Sequence, residues 1–179
     1  MSKIHFQTTP FEINSRMIIR LPADASAQLS SRGMIIADIA VQGFIFQAPL
    51  EPDGQRSHWF EITRNIYDEL GTAAGGSLTF DLQPAKEWPK PQLPADIQAG
   101  LALVPEANAL WQNITPKAQW EWLRWIRATK NPDTRQKHIA VACSKLKSGM
   151  RRPCCFNSSM CTDMSVANNG VLLVPQTVS

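Results

Sequence analysis

The sequence predicts an α+β protein, a small N-terminal β-barrel followed by a C-terminal helical hairpin module. Three observations predict it. Six short β-type runs fall between residues 4 and 82, four prolines crowd residues 84–94, and two cap-then-proline helix starts, Thr115-Pro116 and Asn131-Pro132, come after them.

The β runs are residues 4–8, 17–21, 35–41, 44–46, 59–62 and 78–82, each β-branched or aromatic in character and bounded by Gly, Pro, Asp or Ser. So many short strands in so few residues predict a closed or nearly closed barrel. Gln42-Gly43 can reverse the chain between two of them, and the segment 51–54 reads as a turn with Pro52 second and Gly54 fourth. Residues 64–70 form a short helical piece that Gly71 can end in the left-handed conformation. Pro84, Pro89, Pro91 and Pro94 then remove backbone donors and hold an extended strap. Short helix candidates follow at 95–103 and 105–112.

Thr115 can cap a helix whose first position is Pro116. Three-and-four spacing puts Ala118, Trp122, Trp125, Ile126 and Thr129 on its inner stripe and turns Lys117, Glu121, Arg124 and Arg127 outward. The Asn131-Pro132-Asp133 start leads a second helix, with Ile139, Ala142, Cys143 and Leu146 inward, to a stop at Gly149. The domain boundaries expected are 1–84 for the barrel, 85–98 for the strap, 99–152 for the helical module and 153–179 for a cysteine-containing tail.

With 44% hydrophobic and 18% charged residues in 179, the chain has a globular composition and can bury a core without staples. It shows neither the apolar run of a secretory signal nor the ~20 apolar residues of a membrane span, so the expectation is a soluble, cytoplasmic protein. The net charge of +3 hides an asymmetry: residues 1–116 hold 8 basic against 12 acidic side chains, residues 117–152 hold 10 against 2. Such a basic segment attracts anions, and Lys130, Arg135, Arg151 and Arg152 are its candidate anion-binding residues. The plainer reading is the solvated side of two helices, and with Trp122 and Trp125 turned to the inner stripe nucleic acid is not the favoured partner.

Cys143, Cys154, Cys155 and Cys161 invite a metal reading, but adjacent Cys154 and Cys155 point to opposite faces of an extended segment and do not converge as a zinc knuckle does. No metal or other cofactor is expected. Free cysteines are most often buried small hydrophobes. Arg151 and Arg152 next to Cys154 and Cys155 make those two the candidates for a reactive thiol. Trp120 lies one position off the inner stripe and is the candidate tryptophan for an exposed ligand contact, against the plainer reading of packing on the barrel. Among three isolated histidines, His58 has Asp53 and Glu61 near it in sequence and could line a barrel mouth as a base, against the ordinary reading of a hydrogen-bonded histidine. The glycine-rich segment 71–77 lacks the lysine of a phosphate loop.

Trp122-x-x-Trp125-Ile126, Thr129-Lys130, Thr134-Arg135, Lys147-x-Gly149, Arg151-Arg152-Pro153-Cys154-Cys155-Phe156 and Cys161-Thr162 resemble the YdeI/OmpD-associated bacteriocin-protection family. The first part resembles the barrel domain of unknown function that often precedes it, through Gly43-Phe44-x-Phe46, Pro52-x-Gly54, His58-Trp59, Gly76 and Leu78, and the proline-rich exit. The resemblance covers nearly the whole chain. It implies a small β-barrel followed by a helical segment, in bacterial proteins associated by name with envelope stress, antimicrobial-peptide resistance and a porin partner.

Two function classes follow. One is a non-enzymatic binding module for a small ligand or an anionic or protein partner, and the other a thiol-based redox or metal-binding protein or enzyme using the Cys154-Cys155 segment. A polar pocket inside the barrel favours chemistry, whereas a filled barrel leaves binding to the surface.

Overall fold

The computed structural model describes residues 3–73, 75–154 and 156–175. They form two compact units: residues up to Glu87 together with 157–161 and the end of the chain from Ser165, and residues Trp88–Phe156 with 162–164.

The first unit runs β1 (Ile4–Thr8), β2 (Phe11–Ile13), β3 (Arg16–Arg20), α1 (Ala23–Ala27), β4 (Ile35–Val41), β5 (Phe44–Pro52), β6 (His58–Ile62), α2 (Arg64–Glu69) and β7 (Leu78–Pro84). The strands make one antiparallel sheet in the order β1-β7-β4-β5-β6-β3-β2. It curls into a half-barrel. Alternation places Ile4 and Phe6 inside and His5 and Gln7 outside, in register with Leu82 and Phe80 of β7. Phe6 stacks on Phe80 at 5.4 Å between ring centroids, and Phe60 meets Phe80 edge-on at 5.5 Å. Ile19, Ile39, Leu50 and Leu82 close around them, fully buried. The barrel interior is filled with apolar side chains.

Three details differ from the sequence expectation. The outermost strands β1 and β2 are separated only by Thr9 and Pro10, so their facing ends lie within about 11 Å, three Cα steps. The chain itself bridges that gap. β5 is longer than its aromatic start suggests and carries Glu51 and Pro52 into register with Trp59 and His58 of β6. The reversal expected at 51–54 therefore comes later, where Gly54 and Arg56 have φ of 76° and 73° and the Asp53 carboxylate accepts from the backbone N–H of Gln55 (2.7 Å) and Ser57 (2.8 Å). The β4–β5 hairpin turns where expected, with Gln42 at φ 45° and Gly43 at φ 89°, the two left-handed residues a two-residue hairpin needs.

Residues 157–161 and those from Ser165 on return to this unit. β8 (Ala167–Asn168) and β9 (Val171–Leu172) form a small hairpin. Cys161, Val166, Ala167 and Leu172 pack with Ile13, Ile18 and Trp59 in a second apolar cluster of this unit. The backbone N–H of Leu172 donates to the Asp53 carbonyl at 2.9 Å, and the Gly170 carbonyl comes so near Gly54 that no side chain fits there.

In the second unit the extended strap gives way to α3 (Ala95–Ala102), followed by α4 (Pro105–Asn113), α5 (Pro116–Arg127) and α6 (Pro132–Lys147). Thr115 Oγ1 accepts from the N–H of Ala118, and Asn131 Oδ1 accepts from Asp133 and Thr134, as their positions before proline predict. Ile139, Ala142, Cys143 and Leu146 of α6 are buried with Trp122 and Ile126 of α5. The expected hairpin is part of a larger assembly, because α6 packs on α3 and α4 as well as α5. Arg124, expected outward, is 2% exposed, with its guanidinium 5.7 Å from the centre of the Phe156 ring. Buried Gln119 reaches back to the Trp111 carbonyl at 2.9 Å, which gives the inner face of α5 a polar component that apolar spacing does not reveal. Among the described residues no helix is long and apolar enough to cross a membrane.

Candidate functional site

His58, expected at a barrel mouth, opens β6 and is wholly buried. Its Nε2 lies 3.0 Å from the Gly33 carbonyl, which can only accept, so that nitrogen carries the proton. Nδ1 therefore accepts from the Ser26 hydroxyl at 2.8 Å. Burial pushes the imidazole pKa below its ordinary 6.5; the hydrogen bond to Gly33 opposes it, the Arg32 charge adds to it, and Asp53 and Glu51 oppose it more weakly. A serine beside a histidine resembles a nucleophile and its base, but Ser26 is also fully buried and a backbone carbonyl holds the second nitrogen. The pair pins α1 and the approach to β4 onto β6.

The candidate cations lie at several places in the second unit. Lys130 is exposed in the α5–α6 turn. Arg135 holds Asp96 of α3 through Nε at 2.6 Å and Nη2 at 3.0 Å. Beyond the other end of α6, Arg151 donates to the Asn113 carbonyl at 2.8 Å and Arg152 stands 3.5 Å from Glu121. Three of the four are thus engaged with groups of the unit itself. Trp120 is half-buried, its indole N–H donating to the Pro89 carbonyl of the strap at 2.8 Å, so a position one step off the stripe is used for packing.

Cys143 is buried in the helical core, where desolvation raises its thiol pKa, and Cys161 is buried in the tail cluster. Cys154 is exposed, with Lys145 Nζ 3.9 Å from its sulfur. Cys155 lies outside the described residues. No three His, Cys, Asp or Glu side chains among the described residues are grouped to hold a metal ion.

The helical unit has an open groove of about 420 Å³ between α6 and the end of α3. Its buried members, Ile139 and Cys143, form the floor together with Gly100. Gly100 sets the approach of the helices: a methyl group there would sit 2.6 Å from Ile139 Cγ2 and 3.8 Å from the Cys143 sulfur. Leu103, Val104 and Ala140 make an apolar wall, and Gln136, Ser144 and Lys147 supply polar groups at the margin. Leu103 is 83% exposed and extends the apolar surface of the groove at its rim. Sequence reasoning passed over this site. The available signal was the apolar pair Leu103-Val104 in the two-residue link before Pro105, where turn chemistry ordinarily places polar residues.

Two family models match the chain. Residues 6–82 match a domain of unknown function, DUF1905, and residues 90–149 match the family described as Bacteriocin-protection, YdeI or OmpD-Associated. The groove residues, from Gly100 to Lys147, all fall in the second match. Comparison with curated proteins finds no match.

Proposed function

Since the chain carries a DUF1905 domain and belongs, over residues 90–149, to the YdeI or OmpD-associated bacteriocin-protection family, we propose that it is a non-enzymatic binding module with its seat in the groove beside α6. The occupant is a partner protein that inserts an apolar side chain between Leu103 and Ala140 and lays a neighbouring carboxylate against Lys147, displacing the exposed Glu106 carboxylate that lies 3.8 Å from its Nζ. The family description names bacteriocin protection, and this reading takes that as its setting. The observation that carries the reading is the exposure of Leu103 beside an apolar groove, in a molecule whose sheet buries a cluster of apolar side chains. With His58 sealed in and Cys143 at the groove floor held as the neutral thiol by burial, the groove is suited to binding rather than to bond-making.

The probe that imitates such an occupant is 1-anilinonaphthalene-8-sulfonate, an aromatic body with one anionic group. Saturable binding with enhanced fluorescence is expected. Full burial of a leucine is worth ~1.5–3 kcal/mol, so Leu103→Asp should weaken binding roughly 10–100-fold. Because Leu103 is exposed, its replacement should leave the melting temperature unchanged. Equal dye affinity in the parent, Leu103→Asp and Ala140→Glu proteins would rule the groove out.

A further inference from the structure

We propose that the first unit holds a second, independent ligand site for a small carboxylate with a flat or short apolar body. The site is a cavity of about 390 Å³ lined by Thr8, Phe11, Arg20, Pro22, Gln55 and Val174 among others.

The argument begins with Asp53, a carboxylate only 1% exposed. Its Oδ1 accepts the backbone N–H groups of Gln55 and Ser57, and its Oδ2 accepts from Arg20 Nε at 2.9 Å and lies 2.7 Å from Arg20 Nη2. Four donors satisfy the four lone-pair positions of the carboxylate. Gln55 Oε1 is engaged in turn, 3.3 Å from Arg20 Nη2. The network has therefore used its acceptors and kept donors. A guanidinium has five N–H groups. The contacts above engage the one on Nε and the two on Nη2, and among the described residues both N–H groups of Nη1 and the Gln55 amide N–H groups are left for a ligand.

Arg20 is also held in place before any ligand arrives. Its side chain is 35% exposed and is fixed to a buried carboxylate by two contacts, so little rotamer freedom remains to be lost on binding. Charge-assisted hydrogen bonds from a guanidinium to a carboxylate are among the strongest available to a protein surface. The rest of the lining pairs the Thr8 and Ser57 side chains with an apolar portion, the Phe11 ring and the aliphatic groups of Leu21, Pro22, Ala23 and Val174. A ligand that offers an anionic acceptor at one end and an apolar group at the other matches both halves.

Benzoate is the probe, with benzamide as its neutral counterpart. In titrations followed by backbone amide NMR, benzoate should shift Thr8, Ala23 and Gln55 saturably and bind at least fivefold more tightly than benzamide. Gln55→Leu, at an exposed position, should weaken benzoate at least fivefold, and Ala23→Trp, which fills the cavity, should abolish the shifts. Arg20→Lys keeps a cation for Asp53 and removes the Nη1 donors, so it should also lose binding, and unchanged melting of the Gln55 and Ala23 variants guards against a folding explanation. Equal affinity for benzoate and benzamide, or full binding by Gln55→Leu and Ala23→Trp, would overturn the proposal. The α6 groove is not touched by these variants, and repeating the dye titration in the Ala23→Trp protein, whose cavity is filled, keeps this result and the dye result separate.

Discussion

Burial of an imidazole away from an ionised partner favours its neutral form, and His58 is in that position between Ser26 and Gly33. The unfolded chain binds the proton at about 6.5 and the folded one only at lower pH, so the stabilising effect is complete above pH 6.5 and is lost as pH falls below it. The urea midpoint of the first unit should drop between pH 7.5 and pH 5, and His58→Gln should reduce that drop; an unchanged slope would refute the assignment. Alkylation mapped by mass spectrometry should label exposed Cys154 before Cys143 and Cys161, which are both buried. At this scale the sequence was hardest to read. His58 meets Ser26, 32 positions away, and buried Arg124 lies against Phe156, also 32 positions away. Spacing along one chain segment does not encode such meetings.

Helix caps are local, a side chain bonding to N–H groups two or three residues on, which is why α5 and α6 could be placed from Thr115-Pro116 and Asn131-Pro132 alone. Thr115→Ala and Asn131→Ala should each cost about 1 kcal/mol in chemical denaturation. β2, three residues long, and α1, five, offered too few positions for a period to show. The groove was invisible for a different reason: it is set by a glycine that lets α3 approach α6, and a lone glycine in a helix reads only as a weak position. Gly100→Val should destabilise the helical unit by about 1–3 kcal/mol through overpacking against Ile139. Near the start of α3, the hydrogen bonds from Arg135 hold the Asp96 carboxyl below its ordinary 3.8, so their contribution is present above that pH and fades as pH falls below it. In Arg135→Met the remaining stability should show a weaker acid dependence below pH 4.

For the whole molecule, the order of a β-rich part, a proline strap and capped helices was legible because each has its own period and punctuation. The return of the tail was not. Its strands are two residues each, too short for alternation, and its apolar residues Val166, Ala167 and Leu172 find their partners on β3 and β6 more than a hundred positions earlier. Leu172→Ala should cost the first unit about 2–5 kcal/mol, the usual penalty of a cavity at a buried leucine, measured by its unfolding transition. The same return has a consequence for biosynthesis. A ribosome adding about 5–20 residues per second reaches Leu172 roughly 4–17 s after Glu87, some 85 residues later. Through that interval the nascent chain carries Ile18 and Trp59 without the strip that covers them in the finished protein. A stall within those codons would present this patch to chaperones and to other nascent chains on the same polysome.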